Sequence, residues 1–397
     1  MASTINAKTT GTGGIEYTAD ASGEIELQSD GVTKAKVTAN GLQDANGNSL
    51  RGGSFRNLII NGDMRIAQRA TSVASITSSG YYTLDRFDIG GTTFGTFTQS
   101  QDSDVPTGQG FNKSIKFLWT TANASLSANS FLQMHQSIEG QNLQHLKKGT
   151  ANAESLTVSF WVKSNKTGTY IIRLSDIDNT RMICKSYTIT VADTWEKKTL
   201  TFVGDTVSAF DNDNGRSLDL TFGLCAGTDN SSGTLQTTWG TDTPANRFVG
   251  QVNLADAVNN YINITGVQLE VGEGASDFEH RMYSQELAMC QRYYYLHCEG
   301  TSRAVANGAM YTASVAYANI KFPVNMRADP SLEVASATNF RAFAGNGFSN
   351  ATGVSIWSQG GTTNEFISLS GLSRTQGHAC FIDTNNADCK LAFSSEL

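Results

Sequence analysis

The sequence is poor in the features that usually announce an activity. Its six cysteines (Cys184, Cys225, Cys290, Cys298, Cys380 and Cys389) are scattered and include no CxxC pair. That argues against zinc and dithiol motifs and reads as buried, reduced thiols made in a reducing cytoplasm. His135, His145, His280, His297 and His378 form no HExxH, and neither GxSxG nor a glycine-rich phosphate loop occurs. Charged residues make up only 16% and the net charge is −7, so no basic surface is expected for a nucleic-acid backbone. No apolar run approaches the roughly 20 residues that span a bilayer, and no leader of basic residues and apolar core opens the chain. Membrane insertion is therefore not expected.

What is present points to β structure. Hydrophobic residues, 39% of the total, recur along nearly the whole length among abundant Gly, Ser, Thr and Asn, a composition suited to short strands and polar turns. At 397 residues the chain exceeds one ordinary core. The expected fold is all-β: an N-terminal attachment and oligomerisation segment (1–53), a jelly-roll-like antiparallel sandwich (54–280), a connecting helix (281–299) and a smaller C-terminal β domain (300–397). In the first segment, EIELQSDGVTKAKV predicts a hairpin about Asp30-Gly31, with Ile25, Leu27, Ala35 and Val37 on one face. So small an apolar face is not stable alone, which predicts a homo-oligomer, most simply a trimer. GNSLRGGSF at 47–55 is a linker by composition. In the sandwich, LTVSFWVKS at 156–164 alternates Leu156, Val158, Phe160 and Val162 against Thr157, Ser159 and Trp161. Further strands are expected at 169–176, 185–191, 197–204 and 218–224. SQELAMCQRYYYLH at 284–297 has helical spacing, with Ser284 as its cap.

Two passages carry a resemblance. NLIINGDMRIAQRA…GYYTLDRF, beginning at Asn57, and GVQLEVGEGASDFEHRMYSQELAMCQRYYY, beginning at Gly266, resemble the two ends of a domain in bacteriophage tail-fibre and related virion proteins. The family form is roughly NLLINGNFxIWQRGxS…GYTADRW, then GVQLExG and FExRxYxxELxxCQRYY, with VSFWVKS between. Ile66-Ala67-Gln68-Arg69-Ala70 departs from IWQRG, and Leu84-Asp85-Arg86-Phe87 from ADRW. The resemblance covers about 55–296. It implies a carbohydrate-binding-module-like sandwich in a structural virion protein: a tail fibre made in the bacterial cytoplasm, attached to other virion proteins through residues 1–53 and binding host-surface glycan. A capsid decoration protein or head fibre, and a glycan-depolymerising tailspike, are the alternatives.

Site candidates follow. Trp161, on the face that the apolar row does not use, could stack on a sugar or pack beneath a loop or a neighbouring subunit. Tyr81, Tyr82, Trp195 and Trp239 are further glycan candidates. Asn57, Asn61, Gly62 and Asp63 could build a turn or contribute oxygens to a calcium site. No cofactor is expected. Asp85 and Arg86 read as a structural pair that Arg69 and Glu279 could join. Asp176 and Asp178 lie together in DIDN, a pair that glycoside cleavage would need, but turn acids are usually solvated. The Tyr293-Tyr294-Tyr295 run reads as interdomain packing on the helix.

Overall fold

A computed structural model describes residues 3–8, 14–18, 22–38, 41–45, 55–345, 347–357 and 360–397. The linker read at 47–55 lies, up to residue 54, outside them. The fold is all-β, with one α-helix, Tyr283–Gln291, among the described residues. None of their helices is long and apolar enough to cross a membrane.

The chain divides into two compact units: residues 1–64, 74–80 and 88–280, and residues 65–73, 81–87 and 281–397. The first contains a small five-stranded sheet. There Ile25–Ser29 and Val32–Thr38 form the expected hairpin, pairing Ile25 with Val37 and Leu27 with Ala35. Asp30 (φ 50°) and Gly31 (φ 75°) both sit in the left-handed region, the geometry a two-residue hairpin turn needs. The hairpin does not stand alone, because Ser3–Lys8 adds in parallel to Ile25–Ser29 and Gly14–Thr18 and Gly41–Asp44 form the edges. These registers align Ile5, Ile15, Tyr17, Ile25, Leu27, Val37 and Leu42 on one face. In the single chain Tyr17 is 73% and Ile15 63% exposed.

The same unit holds two six-stranded sheets. One orders Gly240–Thr241, Arg181–Ile189, Gly168–Asp176, Arg216–Ala226, Phe131–Glu139 and Asp88–Thr92; the other orders Glu196–Phe202, Leu156–Ser164, Tyr261–Val271, Ser114–Thr121, Thr96–Asp102 and Ser72–Ile76. They pack as a sandwich. Phe160 of the second sheet meets Phe222 and Tyr187 of the first edge-on, each at 5.1 Å between centroids. Val158, Phe160 and Val162 are fully buried, as their alternation predicts, and burying each such side chain is worth about 1.5–3 kcal/mol.

In the second unit, a three-stranded sheet (Tyr294–Glu299, Lys390–Ser394, Ser331–Val334) and a seven-stranded sheet enclose a core around Ile320, Phe340, Ile367 and Phe393. The helix is shorter than the sequence suggests. It begins after Met282, not at Ser284, and stops at Gln291, and Tyr294 already belongs to a strand. The tyrosine run is therefore not helical. Tyr293 and Tyr294 are buried within this unit, and Tyr295 packs on Phe322 and Phe393. All six cysteines are free and five are buried; burial pushes the Cys184 and Cys225 thiols up to about 12.

Candidate functional site

The site is built on the outer face of the sandwich sheet that contains Trp161. In Tyr261–Val271 the register slips beside Leu156–Ser164: Ser159 faces Gln268 and Trp161 faces Thr265. The extra residue falls at Gly266-Val267, a β-bulge that leaves ladder groups without strand partners. The Asn57–Asp63 passage supplies them. Leu58 N–H donates to the Leu269 carbonyl at 2.8 Å, and Val267 N–H donates to the Gly62 carbonyl at 2.9 Å. Asn57 Oδ1 accepts from both Ile59 and Leu269 N–H at 3.0 Å, and its Nδ2 donates to the Val267 carbonyl. A Cβ on Gly62 would lie 2.1 Å from that same carbonyl, so only glycine permits the approach. Asn61 takes φ 61° and is fully buried, while Asp63 is 4% exposed.

The bulge also makes room. Gly266 has φ +63°, and a Cβ there would meet the Phe111 ring at 2.6 Å. Phe111 in turn packs edge-on to Phe278 (5.0 Å), which packs on His280 (4.9 Å). The loop carrying Phe278 and His280 is held by a buried polar network. Gln268 Nε2 donates to Glu270 Oε1 at 2.8 Å, Ser276 Oγ to Glu270 Oε2 at 2.6 Å, and Glu279 N–H to Gln268 Oε1 at 2.8 Å. Glu279 closes the frame by accepting from the Phe55 and Asn57 N–H groups. That is a different duty from joining the Asp85-Arg86 pair.

A second loop lies over the sheet from the other side. Lys163 Nζ and Trp195 Nε1 reach the two Asp104 oxygens at 2.8 and 2.9 Å, and Thr265 Oγ1 donates to the Lys113 carbonyl at 2.7 Å. Between the two loops lies a cleft of about 190 Å³, lined by Trp161, Lys197, Gln109, Asp277, Phe278 and His280 among others. Trp161 is partly buried and pairs across the strands with Lys197. Trp195 precedes the strand Glu196–Phe202 and is held through its indole N–H by Asp104, away from the lining of the cleft. The arrangement offers an aromatic floor, an aromatic wall and mixed donors and acceptors, which suits a ring with one apolar face and several hydroxyls.

The other candidates lie elsewhere. Trp239 donates its indole N–H to the Val203 carbonyl at 2.7 Å and borders a small recess beside Phe210. Tyr81 and Tyr82 belong to the second unit. So does the charged part of the passage that begins at Asn57, where Arg86 pairs with Glu396, a partner the sequence did not suggest. Arg69 Nη2 meets the other Glu396 oxygen at 3.2 Å, and the two guanidinium groups lie 3.4 and 3.6 Å from the Tyr293 and Tyr294 ring centres. Asp85 accepts from Gln68 N–H at 2.9 Å and from Gln68 Nε2; burial, opposed by Arg69 and the Gln68 bonds, raises its carboxyl to about 6. Asp176 is not a solvated turn acid. It is 1% exposed and meets Lys148 Nζ at 2.6 Å, while Asp178 accepts from Asp211 N–H. Among the described residues no three His, Cys, Asp or Glu side chains gather as a metal site.

The sequence missed Phe278, His280, Lys197 and Gln109. The first two stand in the family passage, but only the loop's fold turns them toward Trp161.

No family model matches the chain, and no curated protein matches it. Among solved structures, the enzymatically active domain of bacteriophage CBA120 tailspike protein 4 is similar at 14% identity and TM-score 0.30, over 55% of this chain and 22% of that one. The chain thus spans about a fifth of that tailspike structure. TmCBM61, solved with β-1,4-galactotriose, is similar at 11% identity and TM-score 0.28, over 54% of this chain and 99% of its own. A family 11 carbohydrate-binding module from Clostridium thermocellum, solved with a mixed-linked tetrasaccharide, is similar at 9% identity and TM-score 0.26, over 52% and 99%.

Proposed function

We propose that the chain is a non-catalytic structural protein of a bacteriophage particle, a trimeric fibre that attaches through residues 1–53 and holds host-surface glycan beside Trp161. The observation that carries the glycan reading is the cleft itself, where a partly buried indole faces Phe278 and His280, with Lys197, Asp277 and Gln109 around it. A pyranose can lay its axial C–H groups on the indole while its hydroxyls meet the polar rim. Single sites of this size bind weakly, so adhesion rests on several copies acting together.

Assembly is supported by the N-terminal sheet. Its aligned apolar face, with Ile25 at 40%, Leu27 at 38%, Val37 at 41% and Leu42 at 46% exposure, needs cover that copies of the same face would supply. The virion setting rests on the two family-like passages, which here meet at the Gly266 bulge. A non-catalytic role is favoured by the engagement of Asp176 with Lys148.

The test is Trp161→Ala in the full chain. Glycan-array binding should fall at least tenfold with little change in melting. Unchanged binding, or a collapse of stability with binding, overturns the assignment. Release of reducing ends from host polysaccharide by the purified protein overturns the non-catalytic reading.

A further inference from the structure

A second cavity, of about 320 Å³, lies within the second compact unit, walled by Arg69, Tyr81, Tyr82, Glu333 and Lys390 among others. Two cations and one carboxylate of that wall set its charge. The Arg69 side chain is 6% exposed, with its guanidinium between the rings of Tyr294, at 3.6 Å, and Tyr81, at 4.9 Å. Its Nη2 serves Glu396, but its Nη1 is buried and makes no hydrogen bond among the described residues. An ammonium carries three donors, and among the described residues the hydrogen bond from Lys390 Nζ is a long one, 3.4 Å to the Arg69 carbonyl. Burial lowers the Lys390 ammonium from the usual lysine range, opposed by the Glu333 carboxylate and aided by Arg69. Glu333, the carboxylate of the wall, already accepts from the Tyr294 hydroxyl at 3.2 Å.

We propose that this cavity binds an acidic sugar unit, with the carboxylate on Lys390 Nζ and the ring against Tyr81 and Tyr82. Arg69 belongs to the same wall. Its guanidinium adds a second cation to the wall that holds Lys390, and a charge-assisted contact of the Lys390 kind is roughly twice as strong as a neutral one. The site is separate from the Trp161 cleft and does not rest on it. The chemistry differs too: the cleft has an open aromatic floor and a mixed rim, whereas this cavity selects for charge.

The experiment is saturation-transfer NMR on the full chain with methyl glucuronoside and, as its neutral counterpart, methyl glucoside. The uronoside should bind at least tenfold more tightly. Lys390→Gln should abolish that preference while leaving the melting curve in place, Tyr82→Ala should weaken both ligands, and Trp161→Ala should change neither. Equal binding of the two sugars by the wild type, or no binding of the uronoside, overturns the proposal. So does a preference that survives Lys390→Gln or disappears with Trp161→Ala.

Discussion

The stretch from Asn57 to Phe87 solves two burial problems by opposite means. Its first part, in the sandwich unit, uses a neutral amide: Asn57 satisfies two N–H groups and a carbonyl around the bulge with one side chain. Its later part, in the second unit, buries ions: Asp85 and Arg86 are 0% and 1% exposed, and Arg86 depends on Glu396. A neutral amide costs little to desolvate and does not respond to pH. A buried ion is expensive to desolvate and holds only while its partner is present. Two adjacent pieces of one motif should therefore fail in different ways.

The largest effect should come from removing the shared counter-ion. Glu396→Ala removes the carboxylate that two buried guanidinium groups share and should destabilise by about 3–5 kcal/mol in denaturant unfolding; a loss below about 1 kcal/mol would break the contrast. Next comes pH. The Asp85 carboxyl is raised to about 6 in the folded chain, so the folded state holds its proton where the unfolded state has released it. Stability from this group is fully present below about pH 4 and is lost as pH rises through 6. The wild type should lose roughly 2 kcal/mol relative to Asp85→Asn between pH 4 and 7, at a limiting slope of about 1.4 kcal/mol per pH unit. Parallel stability curves for the two proteins would remove Asp85 from the account.

Asn57→Ala should cost about 2–3 kcal/mol, because it strands buried backbone donors, and the loss should not vary between pH 5 and 8. The smallest effect should be Asp104→Ala. That side chain is 38% exposed, so losing its Lys163 pair should cost under about 1 kcal/mol. A larger loss would mean that the loop it anchors stabilises the whole sandwich.

Which parts were legible follows from where each signal resides. The strand at Leu156–Ser164 was readable to the residue because strict alternation sets both its ends and its buried face. The Asp30-Gly31 turn was readable because few dipeptides accept two positive φ angles. The helix was overextended because Tyr293-Tyr294-Tyr295 fits either period, and tertiary packing chose a strand. Gln268 and Glu270 carried no signal of their own, because their network exists only once Ser276 folds back over them. Trp161 could be assigned to a face, but the loops that turn that face into a cleft come from 103–113 and 272–280. Asp176 was misjudged because its lysine partner comes from a distant loop.

The Arg86–Glu396 pair also sets a timetable. Its members are separated by 310 residues, and synthesis at roughly 5–20 residues per second puts about 15–60 s between their appearances. Throughout that interval Arg69 and Arg86 lack the Glu396 carboxylate that they share in the folded chain. The sandwich strands, all but Ser72–Ile76 emerging in between, have their pairing partners by Val271. The segment made early thus receives its counter-ion only after the sandwich strands have been made.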